Sequence, residues 1–171
     1  MKDMKVLVAE KIDPNALGNL KKKFDVTESY DTSRGKMLEI IKDFDAIIIR
    51  SGTLVDEKFL NNAKNLKVVG RAGNGTDNID IDCATQHGVI VANTPESNTM
   101  SAAELTIAHM LNQSRNVIKA NNTLKSGKWE RSIFKGNELF QKTVGIVGLG
   151  RIGSLVAERL NAFDMNVIAY D

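Results

Sequence analysis

The sequence has few of the features that mark secreted, membrane-spanning or metal-dependent proteins. A single cysteine, Cys83, excludes a disulfide within the chain. The apolar run nearest the N-terminus, residues 6–9, is far too short for a signal peptide or a membrane span. No group of His, Cys, Asp and Glu has metal-ligand spacing, and no nucleophile-elbow motif occurs. We therefore expect a cytoplasmic protein with no metal site.

An excess of charge of one sign is also absent. The chain has 23 basic and 21 acidic residues, a net charge of +2, and the two signs are interspersed. This balance excludes a nucleic-acid-binding stripe and a charged membrane-binding face. With 42% hydrophobic and 26% charged residues, the composition is that of a globular protein with a buried core. A small-molecule ligand is the expected partner.

Apolar, β-branched runs recur about every twenty residues in the first half of the chain and predict strands. They cover residues 5–9, 25–27, 46–50, 67–70 and 89–92, with helix-length segments between them. Strands that alternate with helices indicate a parallel sheet. We therefore predict an α/β fold in which residues 1–98 form a flavodoxin-like doubly wound parallel sheet.

A longer interval of about fifty residues follows the last of these runs, too long for one ordinary crossover. Ser101 and Glu104 have capping-box spacing, and an apolar face extends beyond them. These features predict a helix over residues 99–118 that leaves the first domain. The apolar face comprises Ile107, Met110, Leu111, Ser114 and Ile118.

Residues 144–153 read as an apolar strand, a G-x-G-x-x-G turn and the start of a helix. Gly148 suits a tight turn, Gly150 lets backbone approach a pyrophosphate, and Gly153 allows close packing of helix and strand. The helix N-terminus, at Arg151 and Ile152, presents unpaired N–H groups to phosphates. This order predicts the phosphate-binding turn of a Rossmann dinucleotide domain, with a purely structural strand-to-helix turn as the alternative.

Asp171 ends a second apolar run, where a carboxylate can bind ribose hydroxyls and repel a 2′-phosphate. The position favours NAD over NADP, although a solvated turn residue or helix cap remains an alternative. A complete dinucleotide domain has about six strands and this sequence supplies two. Residues 99–171 are therefore predicted to be a linker helix and the first β-α-β of an incomplete NAD-binding domain, within a longer parent protein.

Five motifs occur in order along the chain, at residues 50–51, 69–80, 93–104, 127–131 and 148–153. They make the sequence similar to the D-isomer-specific 2-hydroxyacid dehydrogenase family, and within it to members that act on 3-phospho-D-glycerate. The resemblance implies a substrate-binding lobe, an inserted NAD-binding domain, and oxidation of 3-phospho-D-glycerate at the entry to serine synthesis. A glycerate, glyoxylate or lactate-type dehydrogenase is an alternative, as is a non-catalytic NAD-sensing protein.

Candidate substrate-binding residues lie in these motifs: Arg50, Ser51, Asn74, Gly75 and Asn98. Arg50 follows a buried strand, where a guanidinium can hold a phosphate or carboxylate, although pairing with a carboxylate of its own chain is an alternative. The Asn74–Gly75 turn can offer N–H groups to an anion, or can be only a tight turn. The resemblance places the substrate carboxylate on these N–H groups, with Asn74 also near the cofactor, and Asn98 near the substrate. On local grounds Asn98 suits a helix cap equally well.

No catalytic residue is assigned within the chain. The resemblance implies that an Arg and a Glu–His pair do the proton chemistry, and that all three follow Asp171, so these 171 residues alone are expected to be inactive. Neither His87 nor His109 has an evident carboxylate partner. The resemblance also implies a homodimer or tetramer formed through residues 99–135. Trp129 is its candidate anchor, with packing on its own domain as the alternative.

Overall fold

The computed structural model describes residues 4–171, which form two compact units. The first unit ends at Ser97, and the second is Asn98–Asp171. In the first unit, strands and helices alternate along the described residues. They are β1 Lys5–Val8, α1 Pro14–Lys23, β2 Asp25–Glu28, α2 Arg34–Ile40, β3 Ala46–Ile49, α3 Glu57–Asn62, β4 Val68–Arg71, α4 Ile81–Gln86 and β5 Ile90–Asn93.

Within residues 4–97, five strands pair in parallel in the order β2-β1-β3-β4-β5. This is the flavodoxin-like order, and it confirms the predicted α/β fold. The predicted strand bounds agree with the observed ones to within one residue. From β1 the chain adds β2 on one side of the sheet and then β3, β4 and β5 on the other side. The carboxyl ends of β1 and β3 therefore form a topological switch point, where open parallel sheets bind ligands.

The first core consists of apolar side chains from the strands and from the helices that cover them. Leu7, Ile47 and Val69 come from three adjacent strands, and Phe59 comes from α3; all four are fully buried. Fully burying such a side chain contributes roughly 1.5–3 kcal/mol. The continuous apolar runs of β1 and β3 are therefore explained by a sheet that is covered on both faces.

Aspartates fix the starts of three helices in this unit. Asp13 accepts hydrogen bonds from the backbone N–H groups of Asn15 and Ala16 (2.9 and 3.0 Å). Asp56 directly precedes α3 and Asp80 directly precedes α4, and each accepts a hydrogen bond from the N–H group three residues later. These bonds satisfy donors that a helix N-terminus would otherwise leave unpaired.

The second unit contains three helices and a pair of parallel strands within residues 98–171. They are α5 Thr99–Arg115, α6 Val117–Lys125, β6 Thr143–Val147, α7 Arg151–Asn161 and β7 Asn166–Tyr170. The second core joins Ala103 and Ile107 of α5 to Val156 and Leu160 of α7. Among the described residues, no helix has both the length and the apolar character that crossing a bilayer requires.

The predicted helix over residues 99–118 is wrong at its C-terminal end. Asn116 adopts the left-handed conformation (φ 55°, ψ 31°), so α5 stops at Arg115 and α6 starts at Val117. Asparagine tolerates this conformation better than most residues. Its side-chain amide donates to the carbonyl oxygen of Lys135 (3.2 Å), and Asn112 accepts from the N–H of Ile118 (2.8 Å).

The predicted capping box is also wrong, and so is part of the predicted apolar face. α5 begins at Thr99, so Ser101 lies inside the helix, where its hydroxyl donates to the Asn98 carbonyl oxygen (3.2 Å). Ile107 is buried, and Met110 and Leu111 pack on the second core, as predicted. Ile118 lies beyond the break and is exposed.

Replacing Phe59 with alanine is expected to destabilise the first unit by about 3–5 kcal/mol, because a fully buried ring leaves a cavity. Urea unfolding followed by circular dichroism measures the change. The matched control is Ile90→Thr, since Ile90 is a 66%-exposed strand residue of the same unit. The control should stay within about 0.5 kcal/mol of wild type. Equal losses in the two variants would contradict the assignment of the core.

Candidate functional site

The loop after β3 carries Arg50 and Ser51 at the carboxyl edge of the sheet, beside the switch point. Both residues are exposed. Over residues 4–171, no carboxylate of the chain pairs with the Arg50 guanidinium, so the alternative of an internal ion pair is not observed. A guanidinium in this position can form two parallel hydrogen bonds to a phosphate or carboxylate of a ligand.

The backbone of this loop is held by Glu10, which follows β1. Its Oε1 accepts hydrogen bonds from the N–H groups of Arg50 (2.8 Å) and Thr53 (3.0 Å), and its Oε2 accepts from that of Gly52 (3.0 Å). Burial favours the neutral acid, but these N–H donors and the Thr53 hydroxyl favour the anion more strongly, so the pKa of Glu10 lies below its usual value. Sequence analysis missed Glu10; its position directly after the β1 run was the available signal.

Asn78 holds the same loop from its carbonyl side. Its Nδ2 donates to the carbonyl oxygens of Arg50 (2.8 Å) and Thr53 (2.6 Å), although these residues lie more than twenty positions earlier in the chain. Asn78 is buried, and its Oδ1 has no protein partner in the part of the chain that the structure describes. The loop after β3 is therefore fixed through both its donors and its acceptors.

The loop after β4 presents free donors at the same edge. Asn93 Nδ2 donates to the Asn74 carbonyl (2.7 Å), and the Thr94 N–H donates to the Gly73 carbonyl (3.0 Å), so these carbonyls are bound to the end of β5. Within residues 4–171, the N–H groups of Asn74 and Gly75 have no acceptor. Successive free N–H groups of this kind can bind an anion.

Arg71 is the last residue of β4, and its guanidinium lies against the same loop. A Cβ added to Gly73 would overlap the guanidinium, which would then have to move. The Arg71 Nε is buried and has no acceptor among the described residues. From the sequence, Arg71 is a further candidate for an anion site, with a structural or exposed role as the favoured alternative. In the structure the Arg71 guanidinium approaches Gly75, and the Asp77 carboxylate lies beside the same residue.

In the second unit, the turn after β6 has the geometry of a phosphate-binding loop. Gly148 has φ +93°, a conformation that side chains rarely adopt, and its N–H donates to the Tyr170 carbonyl (2.8 Å). A Cβ on Gly153 would overlap the Gly148 carbonyl oxygen, so α7 can approach β6 only with glycine there. A Cβ on Gly150 would meet nothing within 4 Å, so open space faces this part of the loop. That space and the start of α7 fit a pyrophosphate.

Asp171 holds this loop through one carboxylate oxygen. Its Oδ1 accepts a hydrogen bond from the Leu149 N–H (2.9 Å), 22 residues away. Its other oxygen has no protein partner within residues 4–171 and remains available to a ligand. Arg151 is exposed at the start of α7, whereas Ile152 packs on the second core and can offer a ligand only its backbone.

Comparison with known proteins identifies the family of this chain. Residues 6–166 match the family described as D-isomer specific 2-hydroxyacid dehydrogenase, catalytic domain. The chain belongs to this family. The match spans both compact units and includes the Arg50 loop and the glycine turn at residues 148–153, whereas Asp171 lies beyond it.

Individual relatives within the family are also similar to this chain. It is 48% identical over 98% of its length to D-3-phosphoglycerate dehydrogenase from Archaeoglobus fulgidus, of which it covers 32%. A solved protein from Thermus thermophilus has a TM-score of 0.90 at 30% identity, covering 97% of this chain and 55% of that one. An NAD⁺-bound 3-phosphoglycerate dehydrogenase from Entamoeba histolytica has a TM-score of 0.79 at 32% identity, covering 98% and 54%. The chain thus spans about a third of the length of its curated relatives.

The remaining predicted residues belong to other elements of the fold. Asn98 belongs to the second unit and precedes α5; it is exposed, and its side chain makes no capping hydrogen bond. His87 is engaged by its own unit, with Nδ1 2.9 Å from the Cys83 carbonyl and Nε2 3.1 Å from Asn61 Oδ1. His109 is exposed on α5. No cluster of metal ligands occurs among the described residues.

An apolar groove lies on the surface of the second unit. It has a volume of about 360 Å³ and is lined by residues of α6 and of the segment that follows it, among them Leu124, Trp129 and Phe134. Trp129 is 72% exposed, so the alternative in which it packs on its own domain is not observed. Exposed apolar side chains around a groove are typical of protein interfaces.

The free energy of unfolding is expected to fall as the pH is lowered through the acid range. The loop N–H donors hold the pKa of Glu10 below its ordinary value, and the hydrogen bond from Lys67 holds the pKa of Asp45 below its ordinary value. Folding lowers these pKa values, so the stabilisation is complete above the ordinary values and is lost as pH falls through the folded-state values. Urea unfolding between about pH 7 and about pH 3 measures the slope.

Glu10→Gln should flatten this pH dependence, because the amide does not titrate. Glu39→Gln is the control, since Glu39 is exposed on α2; its curve should follow wild type. An unchanged slope in Glu10→Gln would contradict the role given to the Glu10 carboxylate.

Proposed function

We propose that the protein carrying this chain is an NAD-dependent dehydrogenase that oxidises 3-phospho-D-glycerate to 3-phosphooxypyruvate, the first step of L-serine synthesis. The observation that carries the proposal is that eight relatives covering 97–98% of this chain, at 44–48% identity, bear the name D-3-phosphoglycerate dehydrogenase. The two sites described above supply donors for a dinucleotide and for an anionic substrate.

NAD is proposed to bind at the turn after β6. When bound, it supplies the hydride acceptor for the reaction. Gly148 and Gly150 admit the pyrophosphate, and the N–H groups of Arg151 and Ile152 face it from the start of α7. The free oxygen of Asp171 accepts hydrogen bonds from ribose hydroxyls and repels the 2′-phosphate of NADP. The NAD⁺-bound Entamoeba histolytica protein supports this assignment.

The proposed substrate carries a carboxylate at one end and a phosphate at the other, so it needs two sets of donors. We assign its carboxylate to the free N–H groups of Asn74 and Gly75, next to the positive charge of Arg71. We assign its phosphate to the Arg50 guanidinium and the Ser51 hydroxyl, which are exposed at the same sheet edge. Asn98 remains a proposed substrate ligand, and Asn74 a proposed cofactor ligand, by resemblance to the family.

Oxidation of the substrate alcohol also requires a base for the hydroxyl proton and a cation at the reacting oxygen. The family resemblance assigns these tasks to an Arg and a Glu–His pair that follow Asp171. We therefore propose that the 171 residues bind and orient the ligands, and that proton transfer depends on residues outside them. His87 and His109 have no part in this proposal.

We further propose that the protein is a cytoplasmic homo-oligomer. The exposed groove around Trp129 supports a subunit interface within residues 99–135, because an exposed tryptophan in an apolar patch is a common interface anchor. The balanced charge argues against nucleic acid and membranes as partners.

The test is reduction of 3-phosphooxypyruvate by the product of the full reading frame that encodes this chain, followed by the loss of NADH absorbance. We expect turnover with NADH, and none from residues 1–171 alone. Turnover of glyoxylate or pyruvate in place of the phosphorylated substrate would indicate another dehydrogenase of the family. NADH binding without turnover of any 2-oxo acid would favour a non-catalytic NAD-sensing protein.

Asp171→Ala should weaken NADH binding about tenfold and reduce discrimination against NADPH, because a ribose acceptor and a source of repulsion are both lost. Fluorescence titrations with NADH and with NADPH give the dissociation constants of the two cofactors. Glu158→Gln, an exposed residue of α7, is the control and should bind as wild type does. Unaltered binding of both cofactors to Asp171→Ala would contradict the assignment of Asp171.

A further inference from the structure

The Glu10 carboxylate occupies the switch point of the first sheet, where β1 and β3 leave it. We propose that Glu10 is a positioning residue for substrate binding: its carboxylate clamps the backbone of residues 50–53 and so places Arg50 and Ser51 for an anionic substrate. The inference rests on the proposed function, because that function assigns the substrate phosphate to Arg50 and Ser51. Glu10 itself does not touch the substrate in this proposal.

The clamp leaves the loop backbone little freedom. Glu10 accepts N–H groups of Arg50, Gly52 and Thr53 at 2.8–3.0 Å, and Asn78 donates to the carbonyls of Arg50 and Thr53. The Arg50 side chain, by contrast, forms no ion pair within residues 4–171. The guanidinium is thus free to bind, while the backbone that carries it is fixed.

The charge of Glu10 explains why its N–H partners matter. A carboxylate near an anion-binding residue would repel the ligand if its charge were unpaired. Three backbone donors spread over both oxygens stabilise that charge. A glutamine amide can accept on one atom only, and its NH₂ group would face an N–H donor of the loop. Glu10→Gln therefore keeps the side-chain size but breaks the clamp.

The same sheet provides a matched control at its opposite edge. Asp45 Oδ2 accepts the Lys5 N–H (3.0 Å), and so ties the start of β1 to the residue before β3. Here too a carboxylate accepts a hydrogen bond from a backbone N–H group, and the two residues lie at the starts of β1 and β3. Asp45→Asn should therefore lower stability without affecting the loop that carries Arg50.

The experiment measures kcat, the KM for 3-phosphooxypyruvate and the dissociation constant of NADH for wild type, Glu10→Gln and Asp45→Asn in the full reading frame. For Glu10→Gln we expect the KM to rise about tenfold or more, because the loop is misplaced, while NADH affinity stays within about twofold. Asp45→Asn should leave all three constants near wild type. A KM within about twofold of wild type in folded Glu10→Gln would overturn the proposal, as would equal losses in both variants.

A second variant tests the clamp from the loop side, should Glu10→Gln fail to fold. A Cβ on Gly52 would lie 3.1 Å from Glu10 Oε2, so Gly52→Ala crowds the carboxylate and changes the chain by one methyl group only. It should raise the KM in the same direction by a smaller factor. An unchanged KM in folded Gly52→Ala would count against the proposal.

Binding without turnover separates this inference from the function on which it rests. Amide chemical shifts of the ¹⁵N-labelled product of the full reading frame can be followed as 3-phospho-D-glycerate is added. Saturable binding to wild type together with much weaker binding to Glu10→Gln would support both the substrate assignment and the positioning role of Glu10. Equal affinities would overturn the positioning role alone. Absence of binding to wild type would overturn the substrate assignment and the positioning role together.

Discussion

Parallel pairing of the strands is the constraint that assembles the first site. Because β1, β3, β4 and β5 run in the same direction, all of them leave the sheet at one edge. Residues far apart in the sequence meet there: Glu10 follows β1, Arg50 follows β3, and Arg71 ends β4. An antiparallel arrangement would send alternate loops to opposite edges and separate these groups.

Both compact units use the same device to shape a loop. In each, a carboxylate that follows one strand accepts backbone N–H groups from the loop after the neighbouring strand: Glu10 binds residues 50–53, and Asp171 binds Leu149. The two carboxylates differ in how many of their oxygens remain without a partner in the described part of the chain. Both oxygens of Glu10 accept N–H groups of the loop after β3, whereas one oxygen of Asp171 stays free. On the proposed function, this difference separates a positioning residue from a ligand-binding one.

The sequence predicted those features that depend on local pattern. Strand positions followed from apolar runs, and the glycine turn with Asp171 followed from spacing, because both are determined by residues close together in the chain. The clamp formed by Glu10 and Asn78 could not be predicted, since it joins residues 25–43 positions apart and depends on strand order. The end of α5 was missed because the spacing of apolar residues continues past Arg115. The helix ends there because Asn116 adopts the left-handed backbone conformation, which hydrophobic spacing does not reveal.

The hydrogen bond from Leu149 to Asp171 has a consequence for the entropy of binding. It fixes the glycine turn while the chain folds, before any ligand is present. The conformational freedom of those backbone atoms is therefore lost during folding, and a ligand that binds there does not have to order them again. Such a preorganised turn favours tight binding with a small entropic penalty. Loss of the Asp171 carboxylate would then loosen the turn as well as remove a partner for the ligand.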